Sequence, residues 1–154
     1  MTKSSKLQFR AATLDDIATL RRFEQGVVVA ERNFTDRLIQ GDIQYYDMES
    51  LVSNESALML IASDEGTDVG CGFARIEQDK AYFEPRTHAY LGCMYVDPNW
   101  RGQGIIQALI GELFDWAEER GVNAYKLDVF ARNEGAIKAY EKLGFRAEMI
   151  EMVR

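Results

Sequence analysis

The sequence predicts an α/β fold in one domain over residues 1–154: a mixed, mostly antiparallel sheet of about six to seven strands, with helices on both faces and one βαβ crossover. Three observations predict it. Short apolar or alternating runs recur along the chain, and amphipathic stretches at helical spacing separate them. Between residues 88 and 130 a strand, a long helix and another strand follow in direct succession, the order of a parallel crossover. With 154 residues, 47% hydrophobic and 28% charged, the chain can bury a sizeable core without disulfides or metals.

Lys6 to Ala11 reads as the first strand, Leu7 and Phe9 alternating with Gln8 and Arg10. Thr13 is an N-cap candidate, with Asp15 and Asp16 in the first turn and Ile17, Leu20 and Phe23 at helical spacing behind it. Asp36 to Asn54 holds enough helix formers for a second helical piece. Leu58 to Ser63 and Val69 to Gln78 are two antiparallel strands joined at Asp64-Glu-Gly-Thr-Asp68. Gly70-Cys-Gly72 has no helix pattern after it, so a bulge or a close packing point explains it better than a phosphate loop. His88 to Val96 is the next strand. Asp97-Pro-Asn-Trp-Arg-Gly-Gln-Gly104 ends it and opens a helix carrying Ile105, Ile106, Leu109, Leu113, Trp116 and Ala117 on one face, stopped by Gly121. A strand from Ala124 to Phe130, a short helix capped by Asn133 and stopped by Gly144, and a last strand from Phe145 complete the order.

Composition narrows the function classes. The longest apolar runs, Val27 to Ala30 and Ala57 to Ala62, fall far short of the roughly 20 residues that cross a bilayer, so no membrane partner is expected. Met1 to Lys6 lead into no apolar region of a secretory signal, which predicts a cytoplasmic protein. Cys71 and Cys93 lack metal-like spacing and read as a reduced thiol pair, with no metal expected. Net charge is −7 without a basic stripe, which disfavours a nucleic-acid partner. Residues 13–56 carry nine acidic and four basic side chains, either a solvated helical surface or an attractor for a cationic molecule.

Arg101-Gly-Gln-Gly104 stands between a strand and a helix. The helix start leaves backbone N–H groups without partners, Gly102 and Gly104 remove the side chains that would keep an anion away, and Arg101 adds a positive charge. A diphosphate fits there. Neither a Walker loop nor a dinucleotide fingerprint matches, because Ile105-Ile106 stands where Lys-Ser or Lys-Thr would and the glycine spacing differs.

Arg101-Gly-Gln-Gly104-Ile-Ile106, preceded by Tyr95-Val-Asp-Pro98, resembles the acetyl-CoA motif of the GCN5-related N-acetyltransferases (GNAT). Asn133-Glu-Gly-Ala-Ile-Lys-Ala-Tyr-Glu-Lys-Leu-Gly-Phe145 is similar to that family's downstream Asn-x-x-Ala-x-x-x-Tyr-x-x-x-Gly-Phe segment, and the distance between the two also fits. The resemblance is close over residues 88 to 147. One position departs: Ile106 stands where the family has Gly or Ala, so its side chain must turn from the cofactor or widen the loop.

The resemblance implies a GNAT domain that takes acetyl-CoA as donor and acetylates a primary amine of a small molecule or peptide by direct transfer. A CoA-binding sensor of the same fold is the alternative. It implies that the backbone of Met94, Tyr95 and Val96 binds the pantetheine arm and thioester. Arg101, Gly102, Gln103, Gly104, Ile105 and Ile106 would take the pyrophosphate, and Asn133 would cap its helix and touch the pantetheine. Tyr140 would give a proton to the departing thiolate. Three sources of a base are open: His88, which has the right intrinsic pKa on the strand leading to the loop; Glu84 in the turn before it; and a water chain. A covalent route through Cys93 carries little weight beside direct transfer. The acceptor side falls to the first two helices and the turn around Glu84. There Glu24, Glu31, Asp36, Asp42, Asp47 and Glu49 are acidic and Phe34, Tyr45 and Tyr46 offer an aromatic wall, which suits a cationic amine. Dimers are common among proteins of this resemblance, so a homodimer is compatible with it.

Overall fold

The computed structural model describes residues 6–154. The reading of Met1 to Lys6 therefore lies, for residues 1–5, outside the described residues. Strand β1 (Leu7–Ala11) pairs with β2 (Ala57–Asp64), β2 with β3 (Thr67–Gln78) and β3 with β4 (Thr87–Val96), all antiparallel; β5 (Tyr125–Lys126) joins β4 in parallel. The sheet has five strands in sequence order. Between β1 and β2 lie a 3-10 turn at Leu14–Asp16, helix α1 (Ile17–Glu31) and helix α2 (Met48–Ser53). Helix α3 (Ile105–Glu118) makes the crossover from β4 to β5, and α4 (Glu134–Lys142) follows.

Several local signals act as their chemistry requires. Thr13 and Asp16 form a capping box before α1. Glu65 and Gly66, both at positive φ, turn β2 into β3, the geometry that matches strand twist. Helices α3 and α4 both end in paired C-terminal bonds around glycine: Gly121 to Glu118 with Val122 to Ala117, and Gly144 to Glu141 with Phe145 to Tyr140. The Gly70 and Gly72 pair serves close packing. A Cβ at Gly70 would lie 2.5 Å from the Tyr95 carbonyl oxygen, and one at Gly72 would lie 2.5 Å from Met94 Sδ.

Alternation along the strands divides the core between the two faces. Leu60, Ala62, Ala74 and Leu91 pack with Leu109, Ile110 and Leu113 of α3. Met59, Ile61, Cys71 and Phe73 pack on the other face with Leu20 and Phe23 of α1 and Met48 and Leu51 of α2. Both faces are thus covered by helices, as the sequence predicts.

Three expected elements come out shorter or absent. The helical piece expected over Asp36 to Asn54 reduces to α2, capped by the Asp47 side chain on the Ser50 amide at 3.0 Å. Residues 36–47 lie outside any helix; within them the backbone groups of Ile43, Tyr45 and Tyr46 bond side chains of α1 instead. The strand expected from Ala124 to Phe130 pairs only over Tyr125–Lys126, and residues 145–154 form no strand. Their apolar alternation is present in the sequence, but a strand also needs a neighbour for its backbone groups. Met149, Ile150 and Met152 accordingly stand exposed. These losses account for five strands where about six to seven were expected.

One surface pair ties β1 to the start of α1. Arg10 grips both Asp16 carboxylate oxygens, at 2.8 and 2.9 Å, and this bonding, with the Thr13 amide, lowers the Asp16 pKa to about 2. A depressed carboxylate stabilises the fold above its unfolded pKa and loses that contribution as pH falls through the folded value. The thermal midpoint of the wild type should therefore fall more steeply between about pH 4 and pH 2 than that of Asp16→Asn. At neutral pH the substitution should cost only about 1 kcal/mol, because Arg10 is half exposed and solvent screens the pair.

Candidate active site

Strand β4 is regular as far as Gly92 and then breaks step. Phe73 of β3 faces Gly92 while Cys71 faces Tyr95, so two steps on β3 span three on β4. Cys93 supplies the extra residue, at φ 53, a left-handed conformation that non-glycine residues rarely adopt. The bulge re-aims the residues around it. Cys93 packs among the residues on the α1 side, Met94 turns toward α3, and the Tyr95 ring stacks on Phe23 at 5.3 Å. The residues of the bulge, Gly92 to Val96, border the cavity between β4 and α4.

Beyond Val96 a 3-10 turn at Pro98–Trp100 leads to the glycine loop. The Trp100 indole donates to Asp64 at 3.1 Å, and Arg101 Nε donates to the Val96 carbonyl at 3.0 Å, so the end of the turn is anchored to the sheet. Gly102 and Gly104 adopt φ 77 and 78. Gly104 occupies the N-cap of α3 without a capping side chain, which leaves the first amides of the helix open to an anion. Ile105 is buried, whereas Ile106 packs partly against the α3 core and also borders the cavity. The branched side chain at the departing position is thus accommodated sideways, against the core.

A cavity of about 570 Å³ runs from this loop along the bulge to the end of α1. Met94, Tyr95, Val96, Arg101, Gly102, Gly104, Ile105 and Ile106 line it on one side. On the other side α4 contributes Asn133 and Tyr140. Asn133 Oδ1 accepts the Ala136 amide at 3.1 Å and so fixes the start of α4. Burial, with the Glu31 charge, raises the Tyr140 phenol pKa, which keeps it protonated and able to donate. Of the expected loop residues, Gln103 does not border the cavity.

The far end is built by α1 and the segment after it. Val27, Ala30, Glu31 and Phe34 recur at helical spacing as one stripe facing the cavity. Tyr46 borders it too, its ring edge-on to Phe73 at 5.1 Å. Tyr45 does not. Its hydroxyl is buried close enough to Glu31 to affect that carboxyl's titration, yet no hydrogen bond of good geometry closes between them. Burial and the Glu31 charge push the Tyr45 phenol up to about 12.

Two candidates for the base lie elsewhere. His88 is 4% exposed at the start of β4, its Nδ1 2.8 Å from Asp79 and its Nε2 3.4 Å from Glu77, and it does not border the cavity. Asp79 is also bound by Lys126 of β5, so this cluster ties strands together. Five steps along the strand lead from His88 to Cys93, roughly 16 Å at the usual rise. Glu84 sits in the exposed turn between β3 and β4, also outside the cavity lining.

The acidic region read from the sequence is partly committed to structure. Glu24 is fully buried; its Oε2 accepts the Tyr45 and Tyr46 amides at 2.9 and 3.1 Å, and its Oε1 accepts Arg21 at 3.0 Å. Glu49 meets Arg21 at 3.5 Å, and Asp36 meets Arg132 at 3.5 Å. Asp128, which the sequence did not single out, also borders the cavity and accepts the Tyr90 hydroxyl at 2.9 Å. Its only sequence signal is its place in the stretch after Lys126. Cys71 donates its thiol to the Cys93 carbonyl at 3.3 Å; its contact with the Cys93 sulfur at 3.9 Å, with burial, holds its pKa well above the usual thiol range. Among the described residues no acidic, histidine and cysteine grouping could hold a metal, and no helix is long and apolar enough to cross a membrane.

A strand bulge, a glycine loop at a bare helix start and Tyr140 thus border one cavity on an α/β sheet. Comparison with known proteins gives the class to which this arrangement belongs. The model of the acetyltransferase (GNAT) family matches residues 14–145, and the chain belongs to that family. The Escherichia coli ribosomal protein bS18-alanine N-acetyltransferase is 46% identical over 55 residues, 36% of this chain and 37% of that one. The chain spans about a third of the length of the curated relatives it matches over these regions. Among solved structures, a mutant form of a Bacillus halodurans protein superimposes with a TM-score of 0.85 at 23% identity, covering 96% of this chain and 98% of the other. A predicted acetyltransferase with acetyl-CoA from Clostridium acetobutylicum gives 0.73 at 19% identity, with 96% of both chains covered. These two likenesses concern the fold.

Proposed function

We propose that this chain is an acetyl-CoA-dependent N-acetyltransferase that moves the acetyl group by direct transfer to a primary amine of a small molecule or peptide. The observation that carries the reading is the convergence on one cavity of the bare α3 start, the bulged end of β4 and Tyr140. In it the loop amides and Arg101 hold the pyrophosphate, and the amides freed by the bulge bind the pantetheine and polarise the thioester carbonyl. Tyr140 protonates the sulfur as it leaves. Asn133 positions α4, and with it Tyr140.

A cationic acceptor is supported by Glu31 and Asp128, which border the cavity, and by Phe34 and Tyr46, which offer ring faces to an ammonium group. The Escherichia coli relative is named as an N-acetyltransferase of an alanine of a ribosomal protein, which supports an amine acceptor in general. The reading includes a cytoplasmic setting and the absence of a metal requirement. Free thiol should appear when acetyl-CoA and a panel of polyamines, aminoglycosides and peptides with free N-termini are added. Acetyl-CoA binding without amine-dependent thiol release would instead make the chain a CoA sensor.

A further inference from the structure

The proposed transfer needs a neutral amine, while a primary amine arrives at pH 7 mostly as ammonium. His88 and Glu84 do not border the cavity where that proton must leave. Two carboxylates do, Glu31 and Asp128. Asp128 is exposed and already accepts the Tyr90 hydroxyl. Glu31 is half-buried, forms no ion pair among the described residues and is the one charge on the α1 stripe of Val27, Ala30 and Phe34. We propose that Glu31 is the general base of the transfer, taking the ammonium proton across the cavity from Tyr140.

The surroundings suit that task. Tyr46 feels both Cys93 at the bulge and Glu31, and Tyr140 feels Glu31, so this carboxylate lies within electrostatic reach of the proposed thioester site and of the proposed acid. The groups facing it are Tyr45 and Tyr46 from the segment before α2 and Tyr140 from α4, with Glu24 and Arg32 nearby on α1 and at its end. None is a cation bound to it. Burial raises its pKa, which strengthens it as a proton acceptor.

The step balances. The ammonium gives a proton to the Glu31 carboxylate, and the nitrogen lone pair forms the C–N bond at the thioester carbonyl. Collapse breaks the C–S bond, and the sulfur leaves with the bonding pair and takes the Tyr140 proton. The second nitrogen proton and the proton on Glu31 pass to water, from which Tyr140 recovers one, so one proton is released per turnover.

This inference rests on the acetyltransferase reading, and its test separates the two. Wild type, Glu31→Gln and Asp128→Asn are assayed by thiol release from acetyl-CoA with ethylamine, cationic at pH 7, and with the similarly sized trifluoroethylamine, which is largely neutral there. Glu31→Gln should lose about 100-fold in kcat/KM on ethylamine and only a few-fold on trifluoroethylamine, with acetyl-CoA affinity unchanged. Equal loss on both amines, no loss, or an amine-selective loss in Asp128→Asn instead would overturn the assignment while leaving the acetyltransferase reading intact. No thiol release by the wild type with either amine, nor with the polyamine, aminoglycoside and peptide panel, sinks both. Should Glu31→Gln not fold, the wild-type kcat at saturating ethylamine decides: it should fall as pH drops through a carboxylate pKa above the ordinary glutamate value, and a kcat independent of pH there would refute the role.

Discussion

Tyr140→Phe should lower kcat by about 100- to 1000-fold while leaving acetyl-CoA affinity within a factor of about two. The expectation follows from what the substitution removes. Tyr140 borders the cavity from α4, and its ring packs edge-on against Phe145 at 6.0 Å, a contact that phenylalanine keeps. The hydroxyl alone is lost, and with it the proposed donor for the departing sulfur. A thiolate expelled without a proton is a poorer leaving group, so the loss appears in the chemical step. Steady-state kinetics with an amine found in the acceptor screen, beside calorimetric titration with CoA, would check it. An unchanged kcat would remove Tyr140 from the mechanism; an equal fall in CoA affinity would make it a packing residue. Because burial and Glu31 both raise its pKa, the phenol should add no alkaline limb near neutrality.

The second large effect concerns stability and the acceptor site together. Glu24→Ala should cost about 3 kcal/mol and lower the melting midpoint by roughly 6–12 °C, because two amides that Glu24 now satisfies are left without an acceptor. The same carboxylate fixes the segment that carries Tyr45 and Tyr46. Gln25 helps, exchanging bonds with the Ile43 carbonyl at 2.6 Å and the Ile43 amide at 3.3 Å, as does Arg21, which donates to the Tyr46 carbonyl at 2.8 Å. Where the protein stays folded, KM for the amine should rise several-fold while acetyl-CoA affinity holds, since the glycine loop lies on α3 and does not share these bonds. Urea denaturation and two-substrate kinetics would show both. A variant as stable as the wild type would mean that other groups satisfy those amides.

The donor half of the site was legible along the chain because its parts are local. Residues 95–106 run continuously from strand through turn to helix, and their function needs only glycines at positive φ, one cation and an uncapped helix start. The downstream helix was equally readable, since Asn133, Tyr140 and Gly144 act through i, i+3 and C-terminal bonds within a single element. The acceptor half was not. Glu24 and Glu31 look alike in the sequence, seven residues apart on one helix, yet the first is fully buried as an acceptor for backbone amides and the second borders the cavity. Tyr45 and Tyr46 are adjacent, and their order along the chain does not say which one reaches the site.

The sequence by itself determined the alternation of strands and helices, the covering of the sheet on both faces, the glycine loop and the family to which the chain belongs. Only the tertiary structure decided that Ile43, Tyr45 and Tyr46 are held by side chains of α1, that His88 is tied to Asp79 away from the cavity, and that five strands pair rather than six or seven. The reason is the range of the forces. Capping, turn geometry and amphipathic spacing act within a few residues and leave a periodic mark. Burial of a carboxylate and pairing of an edge strand depend on partners tens of residues away, and no local pattern records whether those partners arrive.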